Sequence, residues 1–128
     1  EIFITGVHSP HPARGKKETL ESIRGAYEFT RQRPESIRIF AGDLNYIFDQ
    51  KSKDTLYGDL TSVMSDSTVS LGDTYYFGTR IDHVFHAPKT IQVEISSSGM
   101  IDYPPRVAMV PGFRDHRPVV VTFELASI

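Results

Sequence analysis

Three short stretches of this chain have residue types and spacing that can do chemistry. Asp43 and Asn45 follow Gly42 at the end of the apolar run Ile37-Arg38-Ile39-Phe40-Ala41. A carboxylate and an amide two residues apart can lean toward one point and offer oxygen to a hard cation, or hydrogen bonds to water or phosphate. The same two side chains also suit an Asx turn that does no more than close a strand. Asp82 lies in Thr79-Arg80-Ile81-Asp82-His83-Val84-Phe85-His86-Ala87-Pro88, beside apolar residues that imply burial. A buried carboxylate needs a partner, because an unpaired charge in an apolar interior is costly. Asp115 and His116 stand in Arg114-Asp115-His116-Arg117-Pro118, at the entrance of another alternating stretch.

The elements that must position these groups follow from periodicity. Ile2 to Val7 reads as a strand that stops at His8, and Ser9 to Lys17, with two prolines and a glycine, reads as a loop rich in donors. From Glu18 to about Arg33 the period becomes helical: Leu20, Ile23, Ala26, Tyr27 and Thr30 share one face, and Glu21, Arg24, Glu28 and Arg31 the other. Strand, helix and the strand Ile37 to Ala41 form a crossover unit, which predicts parallel strands whose carboxyl ends share one edge. His8 is thereby expected beside Asp43 and Asn45. Tyr46 to about Asp73 is polar and loop-like, with one short amphipathic piece near Leu60 to Met64. Thr74 to Gly78 is aromatic, either core or the rim of a cleft. Ile91 to Ile95 alternates as a half-exposed strand, Ser96 to Gly99 reads as a turn, and Pro104 to Gly112 reads as a loop. Val119, Val121, Phe123 and Leu125 share one face of a last strand. For His83 and His86 no role is assigned; both are expected at the surface, with one of them able to line the cleft.

Length and composition bound the function. The 128 residues, 39% hydrophobic and 23% charged, fit one domain, residues 1–128, of an ordinary globular protein. A formal charge of -2 provides no whole-molecule attraction to polyanions, so a polyanion would have to meet a local patch such as Arg14, Lys16 and Lys17. The absence of cysteine excludes disulfides, thiolate metal sites and a cysteine nucleophile, and leaves the compartment open. No run reaches the length of a transmembrane segment, and the first residues lack a signal-peptide layout. The chain opens at Glu1 without methionine and is apolar at once, as expected of a cut within a larger protein or of a processed chain.

Taken in order, Gly42-Asp43-Leu44-Asn45, Arg80-Ile81-Asp82-His83-Val84-Phe85 and Asp115-His116-Arg117-Pro118-Val119 resemble the carboxyl-terminal half of the endonuclease/exonuclease/phosphatase superfamily, the deoxyribonuclease I-like proteins. Val7-His8-Ser9 falls where that family carries a histidine at a strand end, so the resemblance spans nearly the whole chain. It implies an α+β fold, the carboxyl-terminal part of a four-layer α/β/β/α sandwich of two mixed sheets flanked by helices. It also implies a metal-dependent phosphoester hydrolase that uses Mg2+, with Mn2+ as the alternative.

Carried over by position, the resemblance assigns Asp43 to orienting or deprotonating the attacking water, and Asn45 to holding that water or the phosphate. Asp82 is to pair with His116, favouring an imidazolium that binds a phosphoryl oxygen. Asp115 is to help hold the cation, and His8 is to contact the phosphate or protonate the leaving oxygen. Arg114 stands where the family most often has serine and can add a phosphate contact. The family's amino-terminal half, with its metal-ligating glutamate, has no counterpart among these residues, so the metal site is expected to be incomplete without a further segment or a second chain. The implied partner is a phosphate ester: nucleic acid, a phospholipid headgroup or a small ester. The alternative is a non-catalytic fragment or interaction module that keeps the fold without metal chemistry.

Overall fold

Ile2–His8 forms β1, alternating strictly between exposed and half-buried residues, the period of a strand covered on one face. It runs parallel to β2 (Ile37–Asp43), in register from Ile2 opposite Ile37 to His8 opposite Asp43. The computed structural model in which these strands are seen describes residues 1–48, 55–69, 71, 74, 80–89, 93–100, 116 and 119–125. The parallel pair requires a crossover, supplied by α1 (Lys16–Arg31), which buries Thr19, Ile23, Tyr27 and Thr30 against the sheet. α1 starts two residues before Glu18. A short 3-10 turn at Pro12–Arg14 and Gly15, with φ at +128°, bring the chain to its first helical residue without a long loop. It also stops two residues before Arg33, because Pro34 disfavours helical geometry at the residue that precedes it.

On the other side of β2, β4 (Asp82–Ala87) pairs antiparallel, and the short β3 (Ser65–Asp66) pairs with β4, giving the order β1-β2-β4-β3. Between β2 and β3 lies α2 (Leu56–Val63), which buries Leu56 and Leu60. The polar, loop-like reading of this region is corrected here: two buried leucines in eight residues are enough to seat a helix but too few to show a period. α1 and α2 cover one face of the sheet, with Ile23, Tyr27, Phe40, Leu56, Leu60, Met64, Phe85 and Ala87 in the core between them. Phe40 and Phe85 are cross-strand partners with stacked rings 5.9 Å apart, and burial of each side chain contributes about 2 kcal/mol.

β5 (Val93–Met100) and β6 (Val119–Leu125) form a second, antiparallel sheet. Ser96 to Gly99, expected as a turn, continue β5: a register shift between Ile95 and Ser97 absorbs the irregularity, and pairing resumes from Ser97 to Met100. Such a bulge lets a serine run stay in a ladder. β6 lies against the face of the first sheet opposite the helices, where the Phe123 ring meets His86 at 5.4 Å. His86 and His83 are both buried, at 7% and 1% exposure, which corrects their expected surface placement. Alternation decides this: His83 shares the helix-facing side of β4 with Phe85, and His86 the side that meets β6. Residues 75–78 of the aromatic segment and the loop expected at Pro104 to Gly112 lie outside the described residues. No helix among those described is long and apolar enough to cross a membrane.

Candidate functional site

Gly42 makes the approach of β1 and β2 possible at the end where the candidate residues gather. Its φ is +150°, and a Cβ there would sit 1.8 Å from the Val7 carbonyl oxygen, so any side chain would push the strands apart. One residue later the register lines up His8, Asp43 and Asp82 across β1, β2 and β4. Ser9 N–H donates to the Asp43 carbonyl at 2.9 Å, and Leu44 N–H to the Ile81 carbonyl at 2.9 Å. These bonds tie the turn to its neighbours on both sides.

The Asx turn open to the sequence is present. The Asn45 N–H donates to Asp43 Oδ1 at 2.8 Å, and Asn45 Nδ2 donates to the Ser9 carbonyl at 2.7 Å. Asn45 takes φ +49°, a left-handed conformation that asparagine tolerates better than most residues. The turn does not use up Asp43, whose Oδ2 lies 3.5 Å from His8 Nε2 and 3.3 Å from His116 Nε2. Burial raises the Asp43 pKa above the usual aspartate value and the Asp82 charge adds to the rise, against the opposing effects of the Asn45 N–H and the two histidines. An acid held in this way is suited to taking a proton.

His116 closes the constellation. Its Nδ1 is 2.8 Å from Asp82 Oδ2 while Nε2 faces Asp43. Each ring nitrogen thus meets a carboxylate, and only the doubly protonated ring donates to both. Thr74 fixes the start of β4, its Oγ1 accepting from the Ile81 N–H at 3.1 Å and the Asp82 N–H at 3.2 Å. A cavity of about 250 Å3 opens beside the pair, lined by Ala41, Gly42, Asp43, Asp82, His83, Val84 and Val119.

Asp43, Asp82 and His116 form a group able to hold a metal ion, with one ligand atom from each lying within 4.8 Å of the others. The donor chemistry fits a divalent cation: two carboxylates supply the hard oxygens it prefers. His116 fits less directly, since an imidazolium has no lone pair to coordinate with while it bridges both acids.

Of the residues singled out from sequence, the structure brings together His8, Asp43, Asn45, Asp82 and His116; Asp115 and Arg114 lie outside the described residues. Sequence reasoning left unassigned a buried polar cluster behind the site. Arg80 Nη1 lies 3.3 Å from Asp66 Oδ2 and 3.1 Å from His83 Nδ1, and His83 Nε2 is 3.3 Å from the Tyr46 carbonyl. Its signal was the alternation of His83 with Phe85 and Ala87, which phases His83 inward.

No family model and no curated protein matches the chain. Its fold recurs in solved structures. A mannosyl-6-phosphatase of Bacteroides thetaiotaomicron VPI-5482 superposes with a TM-score of 0.68 at 23% identity, over 95% of this chain and 51% of that one. An endonuclease/exonuclease/phosphatase family protein from Bacteroides thetaiotaomicron gives 0.62 at 24% identity, over 94% and 48%. D. rerio TDP2 humanized by 14 mutations gives 0.63 at 18% identity, over 96% and 52%. The chain spans about half the length of each of these structures.

Proposed function

We propose that this chain, whose fold recurs in solved endonuclease/exonuclease/phosphatase structures, carries the water-handling edge of a metal-dependent phosphoester hydrolase. The observation that supports this best is the His116 ring held between the carboxylates of Asp43 and Asp82. A neutral structural histidine has no need of two acids, whereas an imidazolium kept charged by them is a fixed donor for a phosphoryl oxygen.

In this reading Asp43 orients the attacking water and takes its proton as the oxygen bonds to phosphorus. Asp82 holds the His116 ring in place and stabilises its charge, and His116 turns its Nε2–H from Asp43 to the phosphoryl oxygen as negative charge builds there. Asn45 holds the water or the phosphate with the amide valences that its bond to Ser9 leaves. The ester bond then breaks, and the departing oxygen takes a proton from His8, whose exposed ring stands at the mouth of the site. Asp43 and Asp82 would hold a divalent cation, Mg2+ or Mn2+, with Asp115, and Arg114 would add a contact to the phosphate. When bound, such a cation supplies Lewis-acid stabilisation of the phosphoryl oxygens.

The chain is proposed as the carboxyl-terminal portion of the domain, with the remaining metal ligand, a glutamate, contributed by a segment outside it or by a second chain. The substrate is a phosphate ester: a sugar phosphate of the kind named for the mannosyl-6-phosphatase, a phospholipid headgroup, or nucleic acid. The test is a panel assay of the full-length protein with Mg2+ on DNA, RNA, sphingomyelin, inositol phosphates and mannose 6-phosphate. Hydrolysis of one class supports the reading, and inertness toward all of them counts against it. The ring of His116, which meets both acids of the candidate metal group and so fits a cation less directly, favours a second reading, a non-catalytic module that keeps the fold. Calorimetry separates the two: the hydrolase binds Mg2+ through Asp43 and Asp82, and the module does not.

A further inference from the structure

Behind the turn that carries Asn45 runs a chain of buried polar contacts for which the proposed reaction has no use. It begins at Asp66, whose side chain is 3% exposed. Oδ1 accepts from the Thr68 N–H at 2.9 Å and the Thr68 hydroxyl at 2.8 Å, and Oδ2 from the Tyr57 hydroxyl at 2.8 Å and Arg80 Nη1 at 3.3 Å. Four donors saturate the carboxylate and fix it in place. Burial by itself would raise the Asp66 pKa; the Thr68 and Tyr57 hydrogen bonds, helped by the Arg80 charge, outweigh it and hold the group below the usual aspartate value.

Arg80 reaches onward to His83 Nδ1 at 3.1 Å. A guanidinium only donates, so Nδ1 must accept, and the ring's proton belongs on Nε2. Nε2 faces the Tyr46 carbonyl at 3.3 Å. The ring has little room to turn: Phe48 lies edge-on at 4.9 Å and Phe85 stacks at 6.0 Å.

Tyr46 directly follows Asn45, and the left-handed turn at Asn45 is held from the front by Asp43 Oδ1 and the Ser9 carbonyl. We propose that Arg80 and His83, anchored by Asp66, are positioning residues for Asn45: by gripping the Tyr46 carbonyl they clamp the turn from behind and aim its amide. The kinetic part of this inference rests on the hydrolase reading above; its structural part does not.

Two variants separate positioning from packing. His83→Leu keeps much of the bulk and removes the donor, whereas His83→Gln restores an N–H where Nε2 stood. In the full-length protein, exchange of the Asn45 N–H should quicken about tenfold in His83→Leu, return toward wild type in His83→Gln, and leave the Phe40 N–H unchanged. In the same variants kcat for a phosphodiester should fall about tenfold and recover with KM little altered. Asp43→Ala serves as the control: continued hydrolysis in that variant sinks the hydrolase reading, while the exchange result still decides the clamp. Wild-type exchange at Asn45 in a folded His83→Leu protein overturns the clamp. If His83→Leu does not fold, Arg80→Lys takes its place, and wild-type exchange at Asn45 there overturns it equally.

Discussion

Asp43 and Asp82 stand directly opposite each other on β2 and β4, two carboxylates on one face at a sheet edge, joined by the ring of His116. Like charges in directly opposed positions destabilise a sheet. Here one imidazole meets both. The relationship separates what the site does for chemistry from what it does for stability, and the two respond to mutation in opposite directions.

Asp43→Asn is expected to make the protein inactive and more stable. Burial and the Asp82 charge raise the Asp43 pKa in the folded state, so the folded chain binds this proton more tightly than the unfolded chain does. The associated stability is fully present below the unfolded pKa and is lost as pH rises through the folded one. At neutral pH an amide removes that penalty, and its oxygen can still accept from the Asn45 N–H. Urea denaturation at pH 7 should show a gain of about 0.5 kcal/mol, shrinking as the buffer is taken down into the carboxylate range. A neutral-pH loss of stability would contradict the assignment.

Asp82 and His116 are expected to act as one unit. Asp82→Asn keeps the shape but weakens support for the imidazolium, and His116→Gln removes the charge. Each should lower kcat by about a hundredfold or more. The double variant should be no worse than the poorer single one, because residues that share one function do not add. Additive losses in steady-state kinetics would show that they act independently.

Gly42→Ala should be severe and Gly6→Ala mild. The first places a Cβ 1.8 Å from the Val7 carbonyl oxygen at a φ of +150°, and the second meets nothing within 4 Å. The expected losses are about 3 kcal/mol or more for the first and under about 1 kcal/mol for the second, read from thermal or urea unfolding. Comparable losses would mean that the strands do not approach as closely as the structure places them.

His8→Ala should have a smaller effect than changes at Asp43 or His116. Its side chain is 79% exposed and lies 3.5 Å from Asp43, placing it at the mouth of the site, where water can stand in for a proton donor. A drop in kcat of about tenfold is expected, smaller for esters whose leaving group needs no proton. Equal losses for good and poor leaving groups would argue against this role.

The parts of the fold set by strong periodicity were legible in the sequence. α1, β1 and β2 follow from Ile23, Tyr27 and the alternating isoleucines, and with the crossover rule these alone brought His8 beside Asp43. The fold shared with the solved endonuclease/exonuclease/phosphatase structures was legible because Asp43, Asn45, Asp82 and His116 stand at strand ends, where local propensity does not blur them. α2 was only glimpsed, since Leu56 and Leu60 are too few to show a period, and β5 was cut short at Ser96 because a bulge is a tertiary accommodation with no local signature. His83 was misplaced for a different reason. Histidine is neutral on a polarity scale, and its burial depends on Tyr46, a partner 37 residues away, and on Arg80, whose reach to the His83 ring the alternation does not show.

The most direct test of the central claim is release of phosphate or alcohol from a phosphate ester by the full-length protein, measured with and without Mg2+ for wild type, Asp43→Ala and His116→Ala. The expected result is hydrolysis that EDTA abolishes and Mg2+ restores in wild type, with each variant slower by about a thousandfold. Folded variants that hydrolyse the ester at the wild-type rate would contradict it.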